Sequence, residues 1–125
     1  MKTITSKTKV NPMVKWYVKD ETPERVVYEY YPEDDKHRRP GIITIDRIND
    51  MIELTTVAEY DSKRTVDNKG ARLICEVIFD TPEKIEAEVA KVAGTSYWLY
   101  YDHARRIIID DYNAEIIKDG MSIWY

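Results

Sequence analysis

Three sets of residues have types and spacings that could do chemistry. Asp46, then Asp61 and Lys63 as an acid-x-lysine step, follow the order in which metal-dependent nucleases place carboxylates for Mg²⁺ and a lysine for developing charge. Asp61-Ser62-Lys63 falls in a loop-forming stretch, however, and a D-x-K step is short enough to arise by chance. Asp102-His103 could be a general base with an orienting carboxylate. Neighbours in a helix do not face one another, and His103 lies beside an apolar stripe, so a partly buried, hydrogen-bonded histidine is expected there. Lys36-His37-Arg38-Arg39 is a dense basic cluster preceded by Tyr30 and Tyr31. Arginines for phosphate beside aromatics for stacking suit single-stranded nucleic acid. Glu33-Asp34-Asp35 come directly before the cluster and would repel phosphate, so a self-neutralising hairpin loop is the plainer expectation.

Other chemistries lack their residues. The four glycines (Gly41, Gly70, Gly94, Gly120) are isolated, so neither a dinucleotide fingerprint nor a phosphate loop can be built. One cysteine and two histidines do not make a structural zinc site, and no nucleophile elbow is present. Cys75 sits in the apolar run LICEVIF and reads as a small buried residue rather than a reactive thiol. No catalytic residue, cofactor or metal is expected.

The elements that must position these groups follow from patterning. The 125 residues fit one domain, 1–125, and 43% hydrophobic with 34% charged residues describes a globular chain able to bury a core. MVKWYVK and RVVYEYY alternate as half-buried strands joined by Asp20-Glu21-Thr22-Pro23, an antiparallel pair. GIITID and MIELTTVAEY continue the meander, whose apolar face must be covered. Thr81-Pro82 opens a helix over 82–93 with Ile85, Val89 and Val92 on one side and Gly94 as its stop. Thr95-Ser96 starts a second helix over 96–113, in which Tyr97, Tyr100, Tyr101, Ala104, Ile107, Ile108 and Tyr112 share a face. DSKRTVDNKG reads as a loop, ARLICEVIFD as a strand and MSIWY as a closing strand. Residues 1–12 read as a frayed tail or an edge strand. The expected fold is α+β: a mostly antiparallel sheet of five or six strands with two helices packed on one face.

Two pieces of the chain carry a resemblance. Tyr30-Tyr31-Pro32-Glu33 leads through a polar loop to Pro40-Gly41 and a strand ending in an acid. His103-Ala104, Arg106-Ile107, Tyr112 and Gly120 lead to a terminal Trp124-Tyr125. Together they resemble a group of small proteins carried on prophages and integrative elements of Firmicutes. The likeness spans about half the chain; residues 63–94 stand as an insertion and the lysine-rich start as an extension. It implies a mobile-element accessory protein and transfers no catalytic residue.

Charge and aromatics shape the functional expectation. The net charge of −4 is uneven: residues 1–19 hold five lysines and no acid, whereas residues 48–125 hold nine basic and fifteen acidic residues. The balance is not that of a dedicated nucleic-acid binder. Ten Tyr and three Trp stand against one Phe, a composition suited to half-buried sheets and interfaces. MKTITSKTKV has no apolar stretch after its first lysine and no run reaches the length of a membrane span, so the cytoplasm is expected. The leading expectation is a non-enzymatic interaction protein, an accessory or inhibitory protein binding a protein partner. Its contacts would come from Tyr17, Tyr31, Trp124 and the loop Glu33, Asp34, Asp35, Lys36, His37, Arg38 and Arg39. The alternative is weak nucleic-acid binding through Lys7, Lys9, Lys15 and Lys36 to Arg39, and the third is a small metal-dependent nuclease.

Overall fold

The computed structural model describes residues 11–124. β1 (Met13–Glu21) and β2 (Arg25–Pro32) pair antiparallel, and their alternation sends Val14, Trp16, Val26, Tyr28 and Tyr30 inward. β3 (Gly41–Asp46) and β4 (Met51–Thr56) extend the meander on the β2 side. The last strand, β7 (Gly120–Ile123), closes the sheet on the other side of β1, giving the order β4-β3-β2-β1-β7. The fold is α+β with a five-stranded antiparallel sheet, as the patterning predicts.

Two inward aromatics lie across from glycines. Tyr30 pairs with Gly41 and Trp16 with Gly120. A Cβ added at Gly41 would sit 1.9 Å from Tyr30 Cε1, and one at Gly120 would sit 2.5 Å from Trp16 Cζ2. Each ring thus lies over the bare backbone of its cross-strand neighbour, a close approach only glycine permits.

One helix, α3 (Leu99–Asn113), packs on the inner face, burying Ala104 and Ile108 against the sheet core. The second helix predicted over 96–113 forms, but its first three residues are a strand. β6 (Ser96–Trp98) pairs with β5 (Lys63–Thr65), in the stretch read as a loop, to make a separate two-stranded sheet. The expected cap at Thr95-Ser96 is therefore replaced. Trp98 occupies the cap position with no side-chain bond to the helix. Asp61 supplies the cap from a distance: Oδ1 accepts from the Tyr100 N–H at 2.9 Å and Oδ2 from the Tyr101 N–H at 3.1 Å.

Between β5 and β6 the chain makes a helical hairpin. α1 (Asn68–Ile78) occupies the stretch predicted as a strand, and that expectation is corrected. Asp67 caps it, accepting from the Gly70 N–H at 2.6 Å. α2 (Pro82–Val92) begins at Thr81-Pro82 as predicted, and Gly94 follows its end at φ 86°. Ala71 and Cys75 of α1 meet Val89, Ile85 and Val92 of α2 in an apolar cluster of their own. Among the described residues no helix is long and apolar enough to cross a membrane.

Candidate functional site

The face of the sheet opposite α3 carries two of the predicted contact residues. Tyr17 and Tyr31 meet edge to face, ring centroids 5.7 Å apart at 74°. Their hydroxyls are engaged: Tyr17 donates to Asp34 Oδ1 at 2.7 Å and Tyr31 to Glu29 Oε2 at 2.8 Å. Lys15 lies 3.3 Å from Asp34, Lys19 lies 3.4 Å from Glu29, and the Lys36 ammonium sits 4.5 Å above the Tyr17 ring. Burial works to raise the Asp34 pKa, but the bonds from Tyr17 and Lys15 outweigh it and hold the carboxyl below its ordinary value. This is a tiled polar-aromatic surface whose groups satisfy one another.

The loop from Glu33 to Arg39 is braced to both faces of the sheet. Glu33 and Asp34 adopt positive φ of 57° and 51°, a conformation non-glycine residues hold only when their surroundings fix it. Asp34 is fixed from the open face as above. Glu33 is fixed from the α3 side, accepting from the Tyr100 hydroxyl at 2.6 Å. Asp35 accepts from the His37 N–H and lies 3.9 Å from Arg38. The Arg38 guanidinium lies 3.7 Å from Glu59 and 4.2 Å above the Tyr60 ring. Arg39 donates its backbone N–H to Glu59. The Lys36 and Arg38 cations are thus turned onto the protein's own acids and rings, whereas among the described residues the Arg39 guanidinium meets only the Val57 carbonyl at 3.5 Å. His37 is left exposed. Lys7 and Lys9 lie outside the described residues.

Trp124 does not join Tyr17 and Tyr31. It lies against α3, stacked on His103 with ring centroids 3.8 Å apart and planes 3° apart, and edge-on to Tyr100. His103 is partly buried as predicted, but the stack holds it, and among the described residues its ring makes no hydrogen bond of the kind expected. Burial and the nearby Arg106 lower the His103 pKa from its ordinary value. Asp102 is turned elsewhere, 2.7 Å from both Arg105 and Arg106.

The nuclease-like set is also used for structure. Asp46 accepts from the backbone of Ile48 and Asn49 and from the Asn49 amide, a turn-forming arrangement that lowers its pKa. Asp61 caps α3, and Lys63 stands 6.0 Å from the Trp98 ring. Among the described residues no three His, Cys, Asp or Glu side chains gather where they could hold a metal ion.

The surface that sequence reasoning missed is on α1. Ala71 and Cys75 face α2, while Leu73, Ile74, Val77 and Ile78 are 58%, 45%, 88% and 67% exposed. Gly70, Leu73, Ile74 and Val77 stand at positions i, i+3, i+4 and i+7, the spacing of a second apolar helix face. Asp67, three residues before Gly70, was the available signal for a helix start. Beside this stripe is an open pocket of about 430 Å³ lined by Gly70, Ile74, Val92, Tyr97, Asp102 and Arg106. Comparison of the chain with protein-family models, with curated proteins and with solved structures gives no match.

Proposed function

We propose that this protein is a non-enzymatic binding module that joins another protein chain through the α1–α2 hairpin. One observation carries this: α1 packs one apolar face on α2 and exposes a second, on which Val77 is 88% exposed. A short helix with two apolar faces uses one to fold and leaves the other to bind, in the manner of helix-to-helix docking. The Tyr17–Tyr31 surface and the braced loop are a second, more polar contact area. The mobile-element setting, with an accessory or inhibitory role, rests on the two sequence pieces around Tyr30 to Gly41 and His103 to Trp124.

Site-specific photo-crosslinking tests the reading. A benzophenone side chain at position 77 should give a covalent adduct with a protein chain, and the same group at the exposed Ala90 of α2 should not. Equal yields from both positions, or none from 77, would overturn it.

A further inference from the structure

We infer that the chain bound by α1 is a second copy of this protein, paired antiparallel about a two-fold axis between Leu73 and Ile74. The inference rests on reading the hairpin as the binding element and adds its partner. A two-fold pair brings the same patch of both copies together, so the patch must complement itself. The α1 stripe does so in three respects.

The first is shape. With the axis between Leu73 and Ile74, Gly70 faces the partner's Val77 and Leu73 faces the partner's Ile74. The most exposed apolar side chain of the helix then sits over its one position without a side chain. The second is charge. Lys69 and Glu76 are both exposed and, 100° apart per residue, flank the stripe on the same side. The two-fold operation keeps flanks together and reverses direction, so Lys69 comes alongside the partner's Glu76, and the reverse, giving two opposite-charge contacts. A parallel two-fold pair would carry these flanks to opposite sides of the seam, and neither contact would form. The third is the pocket. Gly70 and Ile74 line it on the flank away from Lys69, and Ile78 projects from that same flank. In the antiparallel pair the partner's Ile78 arrives at the level of Lys69 and Gly70, at the pocket mouth. Val92 and Tyr97 supply apolar walls for it. Three turns of helix and one pocket lie near the lower end of specific interfaces, so association on the order of 10 μM is expected.

Sedimentation equilibrium over about 1 to 500 μM should show a monomer–dimer equilibrium. Val77→Asp should leave a monomer, and because Val77 is exposed its circular dichroism should stay native. Lys69→Glu or Glu76→Lys alone should weaken the dimer about tenfold, and the double swap should restore it. Ile74→Cys should crosslink to itself under mild oxidation. Val77→Cys should not, since the two copies of residue 77 stand about 10 Å apart along the helices. A monomer throughout the range, a double swap no tighter than its singles, or self-crosslinking at 77 in preference to 74 would overturn the antiparallel pair. A monomer whose position-77 crosslinker still captures a different protein would overturn the second copy alone and leave the binding-module reading standing. Loss of both would end both.

Discussion

The Tyr30 hydroxyl donates to Asp61 Oδ2 at 2.7 Å and accepts from the Ala58 N–H at 3.0 Å. Asp61 in turn accepts the first free N–H groups of α3. A buried strand residue, a loop carboxylate and the end of the packing helix are thus one hydrogen-bonded unit, and it fixes where α3 sits on the sheet.

Asp61→Ala should therefore destabilise the protein by about 2–3 kcal/mol, the sum of a lost helix cap and a tyrosine hydroxyl left without its acceptor. Tyr30→Phe should cost about 1–2 kcal/mol by stranding the buried Ala58 N–H. Urea denaturation measures both. The double variant should cost less than the sum, because the two residues share a bond. Full additivity would show that Asp61 acts on α3 alone.

The glycine–aromatic pairs make a second prediction. Gly41→Ala forces a Cβ to 1.9 Å from the Tyr30 ring, and Gly120→Ala forces one to 2.5 Å from Trp16. Both rings are fully buried, so neither can swing away without opening the core. Each variant should lose about 2 kcal/mol or more. Gly94→Ala meets no neighbouring atom and carries only the strain of its positive φ, so it should lose about 1 kcal/mol. A ranking with Gly94 worst would contradict the packing described.

Much of this frame was legible in the chain, because the sheet is built from local alternation. Val14, Trp16 and Val18 in β1, and Val26, Tyr28 and Tyr30 in β2, show period two without interruption. Thr81-Pro82 announced α2 for an equally local reason. α1 reads as a strand because its apolar run is short and β-branched, and apolar residues on two helix faces leave no single 3.6-residue stripe to mark it. β5 was missed because its three residues are exposed and polar, so no burial pattern marks it. The contact surface was only half legible. Tyr17 and Tyr31 follow from alternation, but where the loop charges go depends on Tyr100, Glu59 and Tyr60, which only the tertiary fold brings near.

The tyrosines set an alkaline limit. Burial pushes the Tyr28 pKa up to about 12, and the bond to Glu29 pushes Tyr31 up to about 12. Burial raises Tyr30 and Tyr100 further. These folded-state values lie above the ordinary value near 10, so the folded state favours the neutral phenol. That contribution is complete below about pH 10 and is lost as pH rises through about 12. Denaturation midpoints should hold up to about pH 10 and then fall. Phenolate absorbance should reach its ten-tyrosine amplitude only as the circular dichroism signal collapses. Full ionisation near pH 11 with native dichroism would contradict the burial and bonding of these rings.

Cys75 offers a reporter for the hairpin. It is 1% exposed and packs with Ala71 and Val89 in a cluster separate from the sheet core. A thiol reagent can reach it only when α1 and α2 part, which needs no disruption of Trp16 or Tyr28. Val89→Ala should weaken the hairpin by about 1–2 kcal/mol and speed Cys75 labelling about tenfold, while the tryptophan-monitored urea midpoint moves little. If the hairpins of two copies pair through α1, labelling of the wild-type protein should also slow as its concentration rises, because pairing holds the helices closed. Val77→Asp should remove that concentration dependence without exposing Cys75. Labelling that tracks the global unfolding rate in every variant would show instead that the hairpin opens only with the sheet.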